Sequence, residues 1–183
     1  MRASLKHSLP ATLSTARLVL TAPTLAHAPA IAHLCNNPNI HRWMARLPFP
    51  YTLEDARFFI ETIAPGPTEH CYAVLHADHC IGVIGLSFTA GEWPELGYWL
   101  GEPYWGQGFA TEAALAVVAA ARAAGATALR SRALAANARS RHVLEKAGFR
   151  RTHAGPEPLG PNAGQPAVFL RLDLAAAAPG GIA

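Results

Sequence analysis

Residues Tyr104-Trp105-Gly106-Gln107-Gly108-Phe109-Ala110-Thr111-Glu112-Ala113 form a glycine-rich turn that runs straight into an alanine-rich helical stretch. Just before it, Glu95-Leu96-Gly97-Tyr98-Trp99-Leu100 reads as a short strand. A strand, a glycine turn and a helix start in succession leave the backbone few options. Glycine accepts the left-handed conformations that let successive N–H groups converge. The helix N-terminus adds partial positive charge, about 0.3–1 kcal/mol per favourable contact. The segment reads as an anion cradle, and a phosphorylated ligand is its expected occupant.

Spacing excludes two phosphate loops. A dinucleotide fingerprint needs G-x-G-x-x-G early in a βαβ unit, whereas Gly106-x-Gly108-x-x-Thr111 lies in the second half of the chain. A P-loop needs a lysine directly after its last glycine, and Phe109 follows here. The segment resembles instead the [QR]-x-x-G-x-[GA] loop of the GNAT N-acetyltransferases, with Trp105 where that family carries Gln or Arg. A second stretch, Asn137-Ala138-Arg139-Ser140-Arg141-His142-Val143-Leu144-Glu145-Lys146-Ala147-Gly148-Phe149, is similar to N-x-x-S-x-x-V-L-E-K-x-G-F. That motif is typical of the Rim-type ribosomal-protein N-terminal acetyltransferase branch. The opening Thr15-Ala16-Arg17-Leu18-Val19-Leu20 matches too, as does Pro48-Phe49-Pro50-Tyr51-Thr52 ahead of Glu54-Asp55-Ala56.

The resemblance covers residues 15–174 and implies an α/β (α+β) fold with a mixed, mostly antiparallel sheet split near the cofactor. It implies acetyl-CoA as co-substrate and no metal. The backbone of Trp99 and Leu100 would pair with pantetheine. Trp105, Gly106, Gln107, Gly108, Ala110 and Thr111 would meet the pyrophosphate. Asn137 would contact the cofactor arm, or cap the following helix as Asn often does. Many family members carry a tyrosine acid at the position held here by Leu144. In the Rim-type branch the motif serine, here Ser140, is the proposed substitute. A hydrogen bond from Ser140 to sulfur is easier than full proton transfer, because thiols are the stronger acids, with a pKa of about 8.5. Glu95 is the candidate base, directly or through water; a strand-edge carboxylate is the alternative. Trp43, Phe49 and Tyr51 would line the acceptor groove, or serve as ordinary core aromatics. Arg139, Arg141 and Lys146 could meet the adenosine phosphate or form a solvated helix face.

Length and composition fit one domain of 183 residues, 51% of them hydrophobic. No apolar run reaches membrane-span length and no apolar signal region opens the chain, so a cytoplasmic location is expected. Cys35, Cys71 and Cys80 lack C-x-x-C spacing and read as buried thiols. A turn near Ala77-Asp78 would leave Cys71 and Cys80 out of register for a disulfide. The nine histidines are scattered, and no metal site is assigned. No Asp or Glu precedes Glu54, while Arg2, Lys6, Arg17, Arg42 and Arg46 do. This is a solvated basic surface or a docking face for an acidic partner or for RNA.

Periodicity and turn residues give the order βααβββαβαββ, a loose arm over residues 1–14 and a low-complexity tail over 175–183. The acceptor expected from the resemblance is a protein or peptide α-amine. Neutralising a lysine amine costs about 3 kcal/mol more than neutralising an α-amine. A small-molecule amine acetyltransferase and a non-catalytic acyl-CoA-binding module are the rivals. No direct nucleic-acid contact is expected, only an indirect one through the ribosome. A homodimer stays open.

Overall fold

Short runs rich in β-branched and aromatic residues, spread along the chain, build one sheet. The computed structural model describes residues 2–174, and its sheet has eight strands in the order β1-β2-β3-β4-β5-β6-β8-β7. They are β1 (Thr12–Ser14), β2 (Leu18–Thr21), β3 (Glu69–His76), β4 (His79–Ser87), β5 (Glu95–Leu100), β6 (Ala128–Leu134), β7 (Arg150–Pro156) and β8 (Pro166–Asp173). The helices are α1 (Arg2–Ser8), α2 (Ala28–Cys35), α3 (Pro38–His41), α4 (Leu53–Phe58), α5 (Phe109–Ala123) and α6 (Ala138–Lys146).

Every neighbouring pair is antiparallel except β5 and β6. Those two run parallel and meet at one ladder pair, Glu95 opposite Arg130. The Arg130 N–H donates to the Pro94 carbonyl at 2.9 Å. One step further the buried Ser131 hydroxyl donates to the Leu96 carbonyl at 2.8 Å. A side chain thus satisfies a backbone acceptor where the strands part. The split, mixed sheet is the one the resemblance implies.

Strand alternation divides β5 between two cores. Leu96, Tyr98 and Leu100 pack on the face covered by Phe109, Ala113, Val117 and Leu144 of α5 and α6. Trp99 packs on the other face with Ile31 and Cys35 of α2, Tyr51, and Ala56 of α4. Each large apolar side chain fully buried this way contributes about 1.5–3 kcal/mol. Thr52 and Asp55 close a capping box at α4: the Thr52 hydroxyl accepts the Asp55 N–H at 3.2 Å, and the carboxylate accepts the Thr52 N–H at 2.7 Å.

The expected arm over residues 1–14 instead carries α1 and β1. Leu9 is buried, and Leu5 and Leu13 pack beside it on the main core. Lys6 donates to the Gly66 carbonyl, and β1 pairs with β2, Leu13 opposite Leu20. The loop expected over residues 36–51 contains α3, started by the Asn37 side chain accepting the Asn39 N–H at 2.8 Å. The helix expected from Thr24 begins with a 3-10 turn, Leu25–His27, because Pro29 suits only a first helical turn. Cys80 lies opposite Leu75 and Cys71 opposite Gly85, and all three thiols are free. Residues 175–183, read as a tail, lie outside the described residues.

Candidate active site

Gly106 (φ +75) and Gly108 (φ +81) both take the left-handed conformation. A Cβ at Gly106 would meet nothing within 4 Å, so the turn opens on free space. Gly108 caps α5, and its carbonyl accepts the Glu112 N–H at 3.0 Å. Phe109, Ala110 and Thr111 lie in the first turn, where N–H groups have no intrahelical acceptor. Trp105 ties the loop to β5: its indole N–H donates to the Leu100 carbonyl at 2.7 Å. The Arg139 guanidinium lies 5.5 Å from the centroid of the same ring. The Gln107 side chain is engaged locally, donating to the Pro103 carbonyl at 2.9 Å.

Arg17, absent from the sequence-derived site, braces this cradle. It donates to the Gln107 carbonyl at 3.0 Å and to the Glu112 carboxylate at 2.7 Å, and lies 4.4 Å from the centroid of the Phe109 ring. The other Glu112 oxygen accepts the Thr15 hydroxyl at 2.6 Å and the Arg17 N–H at 2.9 Å. Burial pushes the Glu112 carboxyl up. The bonds from Thr15 and Arg17, with the Arg17 charge, outweigh that and hold it below the ordinary carboxylate range. Both partners are visible in the sequence, but their meeting spans 95 positions and leaves no local signal.

Backbone direction sorts the pantetheine candidates. The Pro94 and Leu96 carbonyls point to β6, where Arg130 and Ser131 reach them. The Gly101 N–H points to β4, bonding the Ile81 carbonyl at 2.8 Å. By the same alternation the Trp99 backbone, expected at the cofactor, faces β4 instead. Leu100 faces the gap, but Trp105 already occupies its carbonyl. Tyr98, between Leu96 and Leu100, turns its backbone to the gap.

Asn137 caps α6: its side-chain carbonyl accepts the Ser140 N–H at 3.1 Å. Ser140 stands in the first turn, where the helix end favours nearby negative charge by about 0.3–1 kcal/mol. The Tyr98 hydroxyl donates to Ser140 Oγ at 3.1 Å. Burial pushes that phenol up to about 12, with the Ser140 bond pulling the other way, so at neutral pH it is a donor. Leu144 is fully buried in the core.

Glu95 lies on the opposite face of β5, on the side of Trp99. It pairs with Arg130 at 3.0 Å and with Arg132 at 3.4 Å. Arg132 also pairs, at 3.2 Å, with Glu157, a carboxylate only 5% exposed in the loop between β7 and β8. The sequence gives Glu157 no signal, since it is a lone acid among Pro and Gly. Glu95 and Ser140 therefore do not meet; they flank the gap from its two sides.

The loop between β7 and β8 packs on the loop around Trp43. Asn162 donates to the carbonyls of Arg42 and Met44 at 3.2 and 3.3 Å. Gly160 approaches the Ala45 carbonyl so closely that a Cβ would collide with it. The three aromatics expected to line an acceptor groove have different surroundings. Tyr51 is a core residue, 4% exposed, and burial raises its hydroxyl. Phe49 is 47% exposed beside the His41 ring at 4.9 Å, and Trp43 carries the Arg42 guanidinium at 4.4 Å. Two of the five cations in the acid-free opening meet acids from later in the chain: Arg17 pairs with Glu112 and Arg46 with Glu69. Burial raises the Cys71 thiol to about 12, which makes it a poor nucleophile. Among the described residues, no group of three or more His, Cys, Asp or Glu could hold a metal ion. Among them, too, no helix is long and apolar enough to cross a membrane.

A sheet split beside a glycine cradle at a helix N-terminus suits a transferase that holds a phosphorylated carrier in the gap. Residues 17–150 match the model of the acetyltransferase (GNAT) domain. The chain belongs to the GNAT acetyltransferase family. No curated protein matches it at a significant level. A GNAT-family acetyltransferase from Bacillus anthracis is similar in structure, at 20% identity and a TM-score of 0.79, covering 89% of this chain and 98% of its own. RimL, a ribosomal L7/L12 α-N-protein acetyltransferase solved with coenzyme A, aligns at 17% identity and a TM-score of 0.79, covering 90% and 99%. The microcin C7 self-immunity acetyltransferase MccE, solved with acetyl-CoA and AMP, aligns at 18% identity and 0.79, covering 91% and 99%.

Proposed function

We propose that this protein transfers an acetyl group from acetyl-CoA directly to the α-amine of a protein or peptide N-terminus, in the cytoplasm. One observation carries the reading. The gap between β5 and β6 begins beside Glu95 and Arg130, its β5 edge ends at the Gly106–Thr111 cradle, and Ser140 and Glu95 lie on its two sides. The cradle holds the pyrophosphate through backbone N–H groups. The gap-facing edge of β5 takes the pantetheine arm as an added strand. Ser140 donates a hydrogen bond to the departing sulfur. Glu95 draws the proton from the attacking amine, through water where Arg130 and Arg132 hold it back. The amine nitrogen bonds to the thioester carbon, the C–S bond breaks with its electron pair on sulfur, and the amine proton ends on the thiol.

The α-amine assignment rests on its low pKa and on the sequence motifs shared with the Rim-type branch. RimL is named for a ribosomal acceptor and MccE for self-immunity to microcin C7. A panel assay of coenzyme A release separates the readings. Peptides with a free α-amine should outrun Nα-blocked peptides that carry an internal lysine. Activity confined to polyamines, aminoglycosides or nucleotide-linked amines overturns the acceptor class. Acetyl-CoA binding without release on any amine leaves the non-catalytic module.

A further inference from the structure

A serine hydroxyl rotates freely, so Ser140 donates to sulfur only part of the time unless another group aims it. In a helix such hydroxyls are readily drawn to backbone carbonyls instead. The structure supplies an aiming group from the sheet, 42 positions away. The Tyr98 hydroxyl donates to Ser140 Oγ at 3.1 Å. Its ring is anchored on the core face of β5 beside Leu96 and Leu100. The backbone N–H of Ser140 is fixed separately by Asn137 at 3.1 Å. With one Oγ lone pair filled by Tyr98, the Ser140 proton must point elsewhere. The same Tyr98 turns its backbone to the gap, so that gap lies beside the pair.

The geometry points to Tyr98 as a positioning residue for acetyl transfer, one that directs the Ser140 proton toward the leaving sulfur. This rests on the acetyl-transfer reading above. As the C–S bond breaks, sulfur takes the electron pair and Ser140 donates to it. Charge drawn onto Oγ strengthens the bond from Tyr98, which keeps its own proton. The proton lost by the amine then converts the thiolate to the free thiol. A tyrosine hydroxyl thus serves the site from β5, where the helix position four residues after Ser140 offers only Leu144.

The test is a double-mutant cycle. Tyr98→Phe keeps the ring and removes the hydroxyl, and should lower kcat about 3- to 10-fold, the range of one net hydrogen bond. Its acetyl-CoA Kd should stay within about twofold of the unmodified protein, since the cradle is untouched. Ser140→Ala should lower kcat at least as far, and the double variant no further than Ser140→Ala alone. Additive losses, or unchanged turnover in Tyr98→Phe, overturn the proposal. A readout free of activity is the thiol of Ser140→Cys, titrated by alkylation rate against pH. Adding Tyr98→Phe should raise that thiol pKa by about one pH unit, and no change would refute the contact. If the unmodified protein acetylates no amine, the functional reading fails, and the titration still decides whether Tyr98 biases position 140.

Discussion

Replacing Arg17 with alanine should weaken acetyl-CoA binding although Arg17 lies outside the loop itself. Its side chain is 44% exposed, so the ion pair with Glu112 contributes only about 0.2–1 kcal/mol. The charged bond to the Gln107 carbonyl holds the loop shape and adds about 1 kcal/mol at this exposure. Removal also leaves Glu112, 18% exposed, without its cation in the first turn of the helix that should face a pyrophosphate, with only the Thr15 hydroxyl and the backbone N–H of position 17 as partners. Together these give about 1–2 kcal/mol, or about a 5- to 30-fold rise in acetyl-CoA Kd. Calorimetric titration at low and physiological salt reads it. The rise should be larger at low salt, where the stranded carboxylate is less screened. Adding Glu112→Gln to Arg17→Ala removes the stranded charge and should recover part of the loss. An Arg17→Ala protein within twofold of the unmodified Kd refutes the brace. So does a double variant weaker than Arg17→Ala alone.

Gly108→Val should abolish the acetyl-CoA-induced rise in Tm, because a β-branched residue at φ +81 costs at least about 1–2 kcal/mol and its Cβ would sit 3.4 Å from Arg17; a full shift would remove the loop from the binding site. Glu95→Gln should lower turnover more than acetyl-CoA affinity, and a wild-type rate across the pH profile would make Glu95 purely structural. The Glu112 carboxyl is held below its ordinary value, so its contribution to stability is full above about pH 4.3 and is lost as pH falls through the lower folded value. Acid unfolding followed by circular dichroism should therefore show a smaller acid-limb loss in Glu112→Gln. An identical acid limb would mean the carboxylate network adds nothing.

The sequence makes some contacts legible and hides others for a physical reason. The cradle, the α6 motif and the α4 capping box are local, each written within a few residues. Asn137 as a cap and Thr52 with Asp55 follow from side chains reaching backbone three positions on. The Tyr98–Ser140 and Arg17–Glu112 contacts are 42 and 95 positions apart, and only the packing of α5 and α6 on the sheet brings them together. Tyr51 misleads because an aromatic beside Pro48 and Pro50 suits a groove wall or a core equally well. Its burial with Ile31 and Cys35 is decided by how α2 lies on the sheet. Charge pairing in the basic opening is hidden for the same reason: Arg46 pairs with Glu69, on a strand it meets only after folding.

The two faces of β5 explain why the candidate site can be spread so widely. Acetyl transfer needs a donor near the departing sulfur and an acceptor for the amine proton, and the two act on atoms on opposite sides of one carbonyl carbon. A side chain on one strand face cannot serve both. Under the reaction proposed above a gap through the sheet can: a thioester held in its plane would have Ser140 on the α6 side and Glu95 on the α2 side. The guanidiniums of Arg130 and Arg132 hold Glu95 in place from 3.0 and 3.4 Å, so in the proposed reaction it would reach the amine proton through water. An α-amine has little need of one: with a pKa near 7.7–8.0, about a tenth is already neutral at pH 7. A lysine acceptor, neutral less than about once in a thousand, would depend far more on a general base. The low pKa of an α-amine thus supports the proposed acceptor class alongside the motif around Ser140.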